Sequence, residues 1–148
     1  MAGTPRRYIL DTNILVQYVR ASRLGEYVEG KYALRASPIR PLVCVVVVGE
    51  IRSLAVRWGW GDSKLGCMDR LLRELVWVDL SEPEVLDAYV HVDTSRPKGW
   101  VIPQNDRWVA AAAHATGACL LTTDKHFDYL AGTFIQREYI DPALGKPT

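Results

Sequence analysis

Leu42-Val43-Cys44-Val45-Val46-Val47-Val48 carries no charged side chain and is dominated by β-branched valine. A run of this kind suits a strand covered by protein on both faces, as in a parallel sheet clothed by helices. The apolar stretch containing it, Pro41 to Gly49, is strand-length and falls far short of the roughly 18 residues needed to span a bilayer. Working outward, Tyr8–Leu10 is a shorter apolar run before it. Val76–Leu80 and Cys119–Thr122 read as strands after it, and a last strand is expected near Thr133–Gln136.

Helical patterns fill the intervals. Asn13, Ile14, Leu15, Tyr18 and Val19 open one, and a second is expected from Leu24 to about Ala36, before Ser37–Pro38. Gly49–Glu50 opens a third with Ile51, Leu54, Ala55 and Trp58, ended by Gly59 and Gly61. Asp62 or Ser63 caps a fourth that runs to about Leu75. Ser81-Glu82-Pro83-Glu84 has the form of a capping box with proline in the first turn, starting a helix to about Val92. After an irregular stretch from Thr94 to Gln104, Asn105 or Asp106 caps an alanine-rich helix, Arg107 to Thr116, closed by Gly117. A short helical turn is expected around Phe127–Leu130. The alternation predicts an α/β fold with a mainly parallel sheet and helices on both faces.

With 148 residues, no repeat and no linker, residues 1–148 are expected to form a single domain with short flexible termini. The hydrophobic fraction of 49% and charged fraction of 24% exclude a disordered chain. Met1 to Arg7 has no long apolar stretch behind Arg6 and Arg7 and reads as neither a signal nor a transit peptide. Cys44, Cys67 and Cys119 are odd in number and far apart, unlike a disulfide framework or a zinc site, and a reducing cytoplasm fits them. Net charge is +1, so the chain is not strongly basic overall. Residues 1–40 hold seven Lys/Arg against three Asp/Glu, whereas residues 41–148 hold eleven against fourteen. A basic surface near the N-terminal segment and ordinary solvated helix faces both account for this.

Four acids then attract attention. Asp11 follows the first strand, Glu50 the second and Asp124 the fourth, and Asp106 starts the alanine-rich helix. In parallel α/β sheets, sites form outside the carboxyl ends of strands. Residues separated by more than 110 positions would thereby share one cleft. Carboxylates packed together need protons or cations, and an all-oxygen set favours a hard cation such as Mg²⁺ or Mn²⁺, one ion or two. Each acid alone has a plain alternative: Asp106 and Glu50 as helix-start residues, Asp11 and Asp124 as cap or turn residues.

Leu10-Asp11-Thr12-Asn13-Ile14-Leu15 resembles the opening motif of PIN domains. Val47-Val48-Gly49-Glu50-Ile51 resembles their second motif and Asn105-Asp106-Arg107-Trp108-Val109-Ala110-Ala111 their third. Leu120-Leu121-Thr122-Thr123-Asp124-Lys125-His126-Phe127 is similar to the fourth. Order and spacing agree over nearly the whole chain, and the nearest subgroup is the VapC-type toxins of toxin–antitoxin pairs. The resemblance implies a three-layer α/β/α fold with about five strands. It implies a Mg²⁺- or Mn²⁺-dependent ribonuclease that hydrolyses RNA with metal-activated water, together with a homodimer and a small antitoxin partner. Asp11, Asp106 and Asp124 correspond to direct metal ligands. Glu50 corresponds to a ligand, direct or through water, or to a group that helps activate the water. Asn13 and Thr123 would hydrogen-bond the carboxylates.

The segment before the third motif, Arg96 to Gln104, departs from the basic, glycine-rich loop expected there: it keeps two cations but is more apolar. Arg96, Lys98, Arg107 and Lys125 are candidate phosphate contacts, with solvated surface charge as their alternative. Asp128 reads as an exposed helical residue. Trp58, Trp60, Trp77 and Trp108 read as core or interface packing, and Trp100 equally as a base-stacking residue. His91, His114 and His126 are isolated, and a catalytic histidine is not expected. No GxxxxGK occurs, and Gly59-x-Gly61 lacks a preceding strand, so no nucleotide cofactor is expected. The competing functions are a PIN-type RNA-processing nuclease without an antitoxin, and a non-catalytic nucleic-acid-binding or regulatory module.

Overall fold

A computed structural model describes residues 6–146; the expected flexible termini fall largely on residues 1–5 and 147–148, outside the described residues. Five strands form one parallel sheet: β1 (Tyr8–Leu10), β2 (Leu42–Cys44), β3 (Val76–Val78), β4 (Cys119–Thr122) and β5 (Gln136–Tyr139). Their order is β3-β2-β1-β4-β5. Six helices flank the sheet in an α/β/α arrangement: α1 (Thr12–Val19), α2 (Arg23–Tyr32), α3 (Val45–Arg57), α4 (Asp62–Arg73), α5 (Pro83–Thr94) and α6 (Gln104–Thr116). The chain leaves β1 toward β2 and β3, then returns to lay β4 on the other side of β1. The carboxyl ends of β1 and β4 therefore flank a topological switch point, where an open parallel sheet forms a crevice. No helix among the described residues is long and apolar enough to cross a membrane.

The valine run is not the long strand expected of it. Only Leu42–Cys44 are extended, and Val45 already begins α3. The strand stops where its neighbour stops: Leu42, Val43 and Cys44 pair with Val76, Trp77 and Val78, and β3 ends there. Val47, Val48, Ile51 and Ala55 then bury one helical stripe. Glu50 consequently lies in the second turn of α3 rather than at its start.

Other boundaries shift for local reasons. α2 ends at Tyr32, not near Ala36, because Ala33 adopts a left-handed cap (φ 50°) that turns Leu34 into the core. α4 is preceded by Gly61 rather than capped by Asp62 or Ser63, and it ends at Arg73. α5 is capped at Glu82, with Pro83 in its first turn, rather than at Ser81. α6 starts at Gln104 behind Pro103, so neither Asn105 nor Asp106 is its cap. The expected turn at Phe127–Leu130 is a short 3-10 turn at Lys125–Phe127. The last strand is displaced from Thr133–Gln136 to Gln136–Tyr139. Gly132 (φ 80°) turns the chain, and Phe134 and Ile135 donate their N–H groups to Leu130 O, so they are not free to pair with β4.

The core runs through the sheet. Ile9, Val43, Cys44, Leu120 and Leu121 are fully buried, as are Ala110, Ala111 and Ala112 of α6. The small alanine side chains let α6 approach its neighbours closely.

Candidate metal centre

Asp11 follows β1 directly and caps α1, its Oδ1 accepting the Thr12 N–H at 2.8 Å. Its Oδ2 accepts the Thr122 hydroxyl at 2.6 Å. Thr122, the last residue of β4, also accepts the Asp124 N–H at 3.0 Å. One hydroxyl thus couples the ends of two adjacent strands and holds Asp11 beside the Asp124 turn. Asp124 caps that turn, its Oδ1 accepting the His126 N–H at 2.8 Å. Asp11 and Asp124 thus fill the local cap and turn roles that were their plain alternatives, and both side chains also line the shared cleft.

Asp106 and Glu50 are not caps. Asp106 Oδ2 lies 2.9 Å from His126 Nδ1, which is itself 2.8 Å from Asp124 Oδ1. Glu50 enters from α3, and its Oε1 is buried without a hydrogen-bond partner; the Thr12 hydroxyl is in the same condition. Asp11, Glu50, Asp106 and Asp124 line one open cleft of about 230 Å³ with Thr12, Asn13 and Thr123. Val16, Leu54 and Trp58 form its apolar side. A larger cavity of about 370 Å³ lies elsewhere, among Leu34, Leu71 and Leu75, and its Arg35 and Glu74 pair with each other at 2.6 Å.

The cleft is short of positive charge. Burial, followed by the charge of Asp11, pushes Asp106 up to about 7. Burial raises Asp11 as well, against the hydrogen bonds from Thr122 and Thr12. Burial and the charge of Asp11 raise Glu50, against the nearby Thr12 and Asn105 side chains and the charge of Arg57, which favour its ionised form. For His126, burial would lower the pKa, but the hydrogen bond to Asp106 and the nearby carboxylate charges outweigh it and raise it. The His126 ring thus stands between Asp106 and Asp124, and these carboxylates favour its charged form.

The remaining expected residues are distributed unevenly. Asn13 hydrogen-bonds no carboxylate: it donates to Thr123 Oγ1 at 2.9 Å and accepts from Gln17. The carboxylate partner is Thr122, one residue earlier than Thr123. Arg107 turns away to pair with Asp93 at 2.7 Å and to donate to Ile102 O. Arg96 is exposed and donates to Asp93 O, Lys98 is exposed, and Lys125 lies over the Tyr139 ring. Asp128 pairs with Arg137. Trp100 donates its indole N–H to His126 O at 2.9 Å and meets Tyr129 edge-on, which positions the His126 segment.

His126 was missed by sequence reasoning. The available signal was its position two residues after Asp124. What no pattern revealed was that the start of α6 brings Asp106 to the other side of its ring.

The sequence matches the family profile of the PIN domain over residues 8–133. The chain belongs to the PIN domain family. Among curated proteins, no sequence matches it. Solved structures share the fold of this PIN domain. VapBC2 from Rickettsia felis, bound to a promoter DNA fragment, superposes with a TM-score of 0.76 at 22% identity, covering 90% of this chain and 98% of that one. VapBC-5 from Mycobacterium tuberculosis, of the VapBC family of toxin–antitoxin systems, gives 0.61 at 22% identity over 92% and 98%. A toxin–antitoxin complex from Klebsiella pneumoniae gives 0.62 at 17% identity over 85% and 92%. At these identities the likeness is one of fold.

Proposed function

We propose that this PIN domain is a Mg²⁺- or Mn²⁺-dependent endoribonuclease, hydrolysing RNA phosphodiester bonds with an activated water. The observation that carries the reading is the convergence of Asp11, Glu50, Asp106 and Asp124 on one cleft at the switch point of the sheet. The donor set fits a hard cation: it offers carboxylate oxygens, and three of the acids are held above their ordinary pKa. Asp11, Asp106 and Asp124 would hold one ion or two, with Glu50 as a further ligand, directly or through water. A cation bound there would acidify a water molecule and offset charge on the phosphate.

The chain's own residues prepare this site. Thr122 and the Thr12 N–H fix the orientation of Asp11. The His126 ring contacts both Asp106 and Asp124, and Trp100 holds the His126 backbone.

The structural relatives crystallised as toxin–antitoxin assemblies support a toxin role, with a small antitoxin as partner. A homodimer working in the cytoplasm completes the reading.

The test is cleavage of a single-stranded RNA by the purified protein in Mn²⁺. Cleavage should stop in EDTA, return with excess Mg²⁺ or Mn²⁺, and be absent in Asp11→Asn. Cleavage by Asp11→Asn at the wild-type rate would sink the assignment. Growth arrest on expression, relieved by the product of a neighbouring short reading frame, tests the toxin role; without both, an RNA-processing nuclease is the better description.

A further inference from the structure

We propose that Trp58, backed by Arg20, is the platform on which an RNA base beside the scissile phosphate stacks. This rests on the nuclease reading of the adjoining carboxylate cleft. The juxtaposition is direct: Trp58 lines the same cleft as the four acids, yet its side chain is 46% exposed. An indole left this open at the edge of a polar cleft forgoes the burial that would reward it in a core.

Its surroundings hold it in place. Trp58 caps the end of α3, and its backbone N–H donates to Leu54 O at 2.8 Å. Trp60, itself buried, meets it at 5.9 Å with a 51° tilt. The Arg20 guanidinium lies 4.6 Å from the ring centroid. An indole 46% exposed, with a guanidinium over one side of its ring, offers its remaining surface to a base and brings a positive charge for a phosphate, the two elements of single-strand recognition. Arg57 adds charge on the same side, near enough to act on Glu50.

The other tryptophans are committed elsewhere. Trp108 stacks on Tyr89 at 3.9 Å, Trp77 donates to Leu72 O away from the cleft, and Trp100 is bound to His126 O. On the opposite side of the site, Arg107 is tied to Asp93 and Lys125 lies over Tyr139. The α1/α3 side therefore carries the exposed aromatic surface that lines the cleft, with the exposed Arg20 and Arg57 near it. The occupant is an unpaired nucleotide, because bases within a duplex are not available for stacking on a side chain.

The experiment measures binding of a short fluorescein-labelled single-stranded oligoribonucleotide in Mg²⁺, in the Asp11→Asn background so that the RNA stays intact. Trp58→Ala should raise Kd about 5- to 100-fold, and Trp58→Phe should recover most of the loss. A single abasic position should weaken binding to the Trp58 protein but add no loss to Trp58→Ala. The salt slope should be unchanged in Trp58→Ala and fall by about 0.7 in Arg20→Ala. RNA binding by Trp58→Ala equal to its parent overturns the platform, as does loss of an antitoxin interaction with RNA binding intact, which would assign the surface to a protein partner. Failure of the wild-type protein to cleave the oligonucleotide in Mn²⁺ overturns the nuclease reading itself, and with it the platform.

Discussion

Replacing Asp106 by asparagine should stabilise the metal-free protein at alkaline pH while removing its response to divalent cations. In the fold, Asp106 is held up to about 7 by burial and by the charge of Asp11, against an ordinary value of 3.8. Its folded pKa is raised, so the stability it contributes is full below about pH 4 and is lost as pH rises toward about 7. At about 1.36 kcal/mol for each pH unit, the loss reaches about 4 kcal/mol at pH 8 and is somewhat under half of that at pH 5. Asparagine has no charge to bury and escapes this loss, but it weakens the contact with His126. That weakening acts in the same sense, because the raised pKa of His126 also gives stability at low pH that fades as pH rises. The advantage of Asp106→Asn over wild type should therefore grow by about 2–3 kcal/mol between pH 5 and pH 8 in EDTA. For a domain of this size each kcal/mol shifts Tm by roughly 2–4 °C. The assay is thermal unfolding by circular dichroism at both pH values, with EDTA and with MnCl₂. Mn²⁺ should raise the Tm of wild type and leave Asp106→Asn almost unmoved. A stability difference that is flat across pH, or equal Mn²⁺ shifts in both proteins, would refute the reasoning.

Two further outcomes follow from local geometry. Thr122→Val removes the hydroxyl that donates to Asp11 and accepts from the Asp124 N–H, and should cost about 1–3 kcal/mol, read as a lower urea midpoint. Thr123→Val should cost less, since its hydroxyl serves the half-buried Asn13 amide; equal losses would contradict the role given to Thr122. Gly25→Ala would set a Cβ 2.6 Å from Gln17 O and force α2 away from α1, costing about 1–3 kcal/mol. Gly30→Ala, in the same helix with nothing within 4 Å, should instead gain up to about 1 kcal/mol, and a common sign for both would contradict this packing.

Much of the architecture is legible in particular residues. Gly117 ends α6 in a left-handed conformation (φ 68°), the role assigned to it from its place after an alanine-rich helix. Tyr8–Leu10 and Cys119–Thr122 are strands with the expected bounds, because short apolar runs closed by polar residues have few other uses in an α/β chain. The valine run is where pattern fails. Valine is buried as readily by a covered helix as by a covered strand, and the choice at Val45 belongs to the length of the neighbouring strand.

The four acids divide along the same line. The sequence alone determines that Asp11 and Asp124 follow strands, because that relation is local in the chain; that both cap what comes next is seen in the structure. Only the tertiary structure decides that they face each other: β4 lies against β1, so the Thr122 hydroxyl reaches across to Asp11. It likewise decides that His126 lies between Asp106 and Asp124, that Arg107 belongs to Asp93 rather than to the cleft, and that Trp58 stands open beside the acids. These relations depend on which helix packs beside which strand end. That placement comes from burying the whole core at once, and no sequence window contains it.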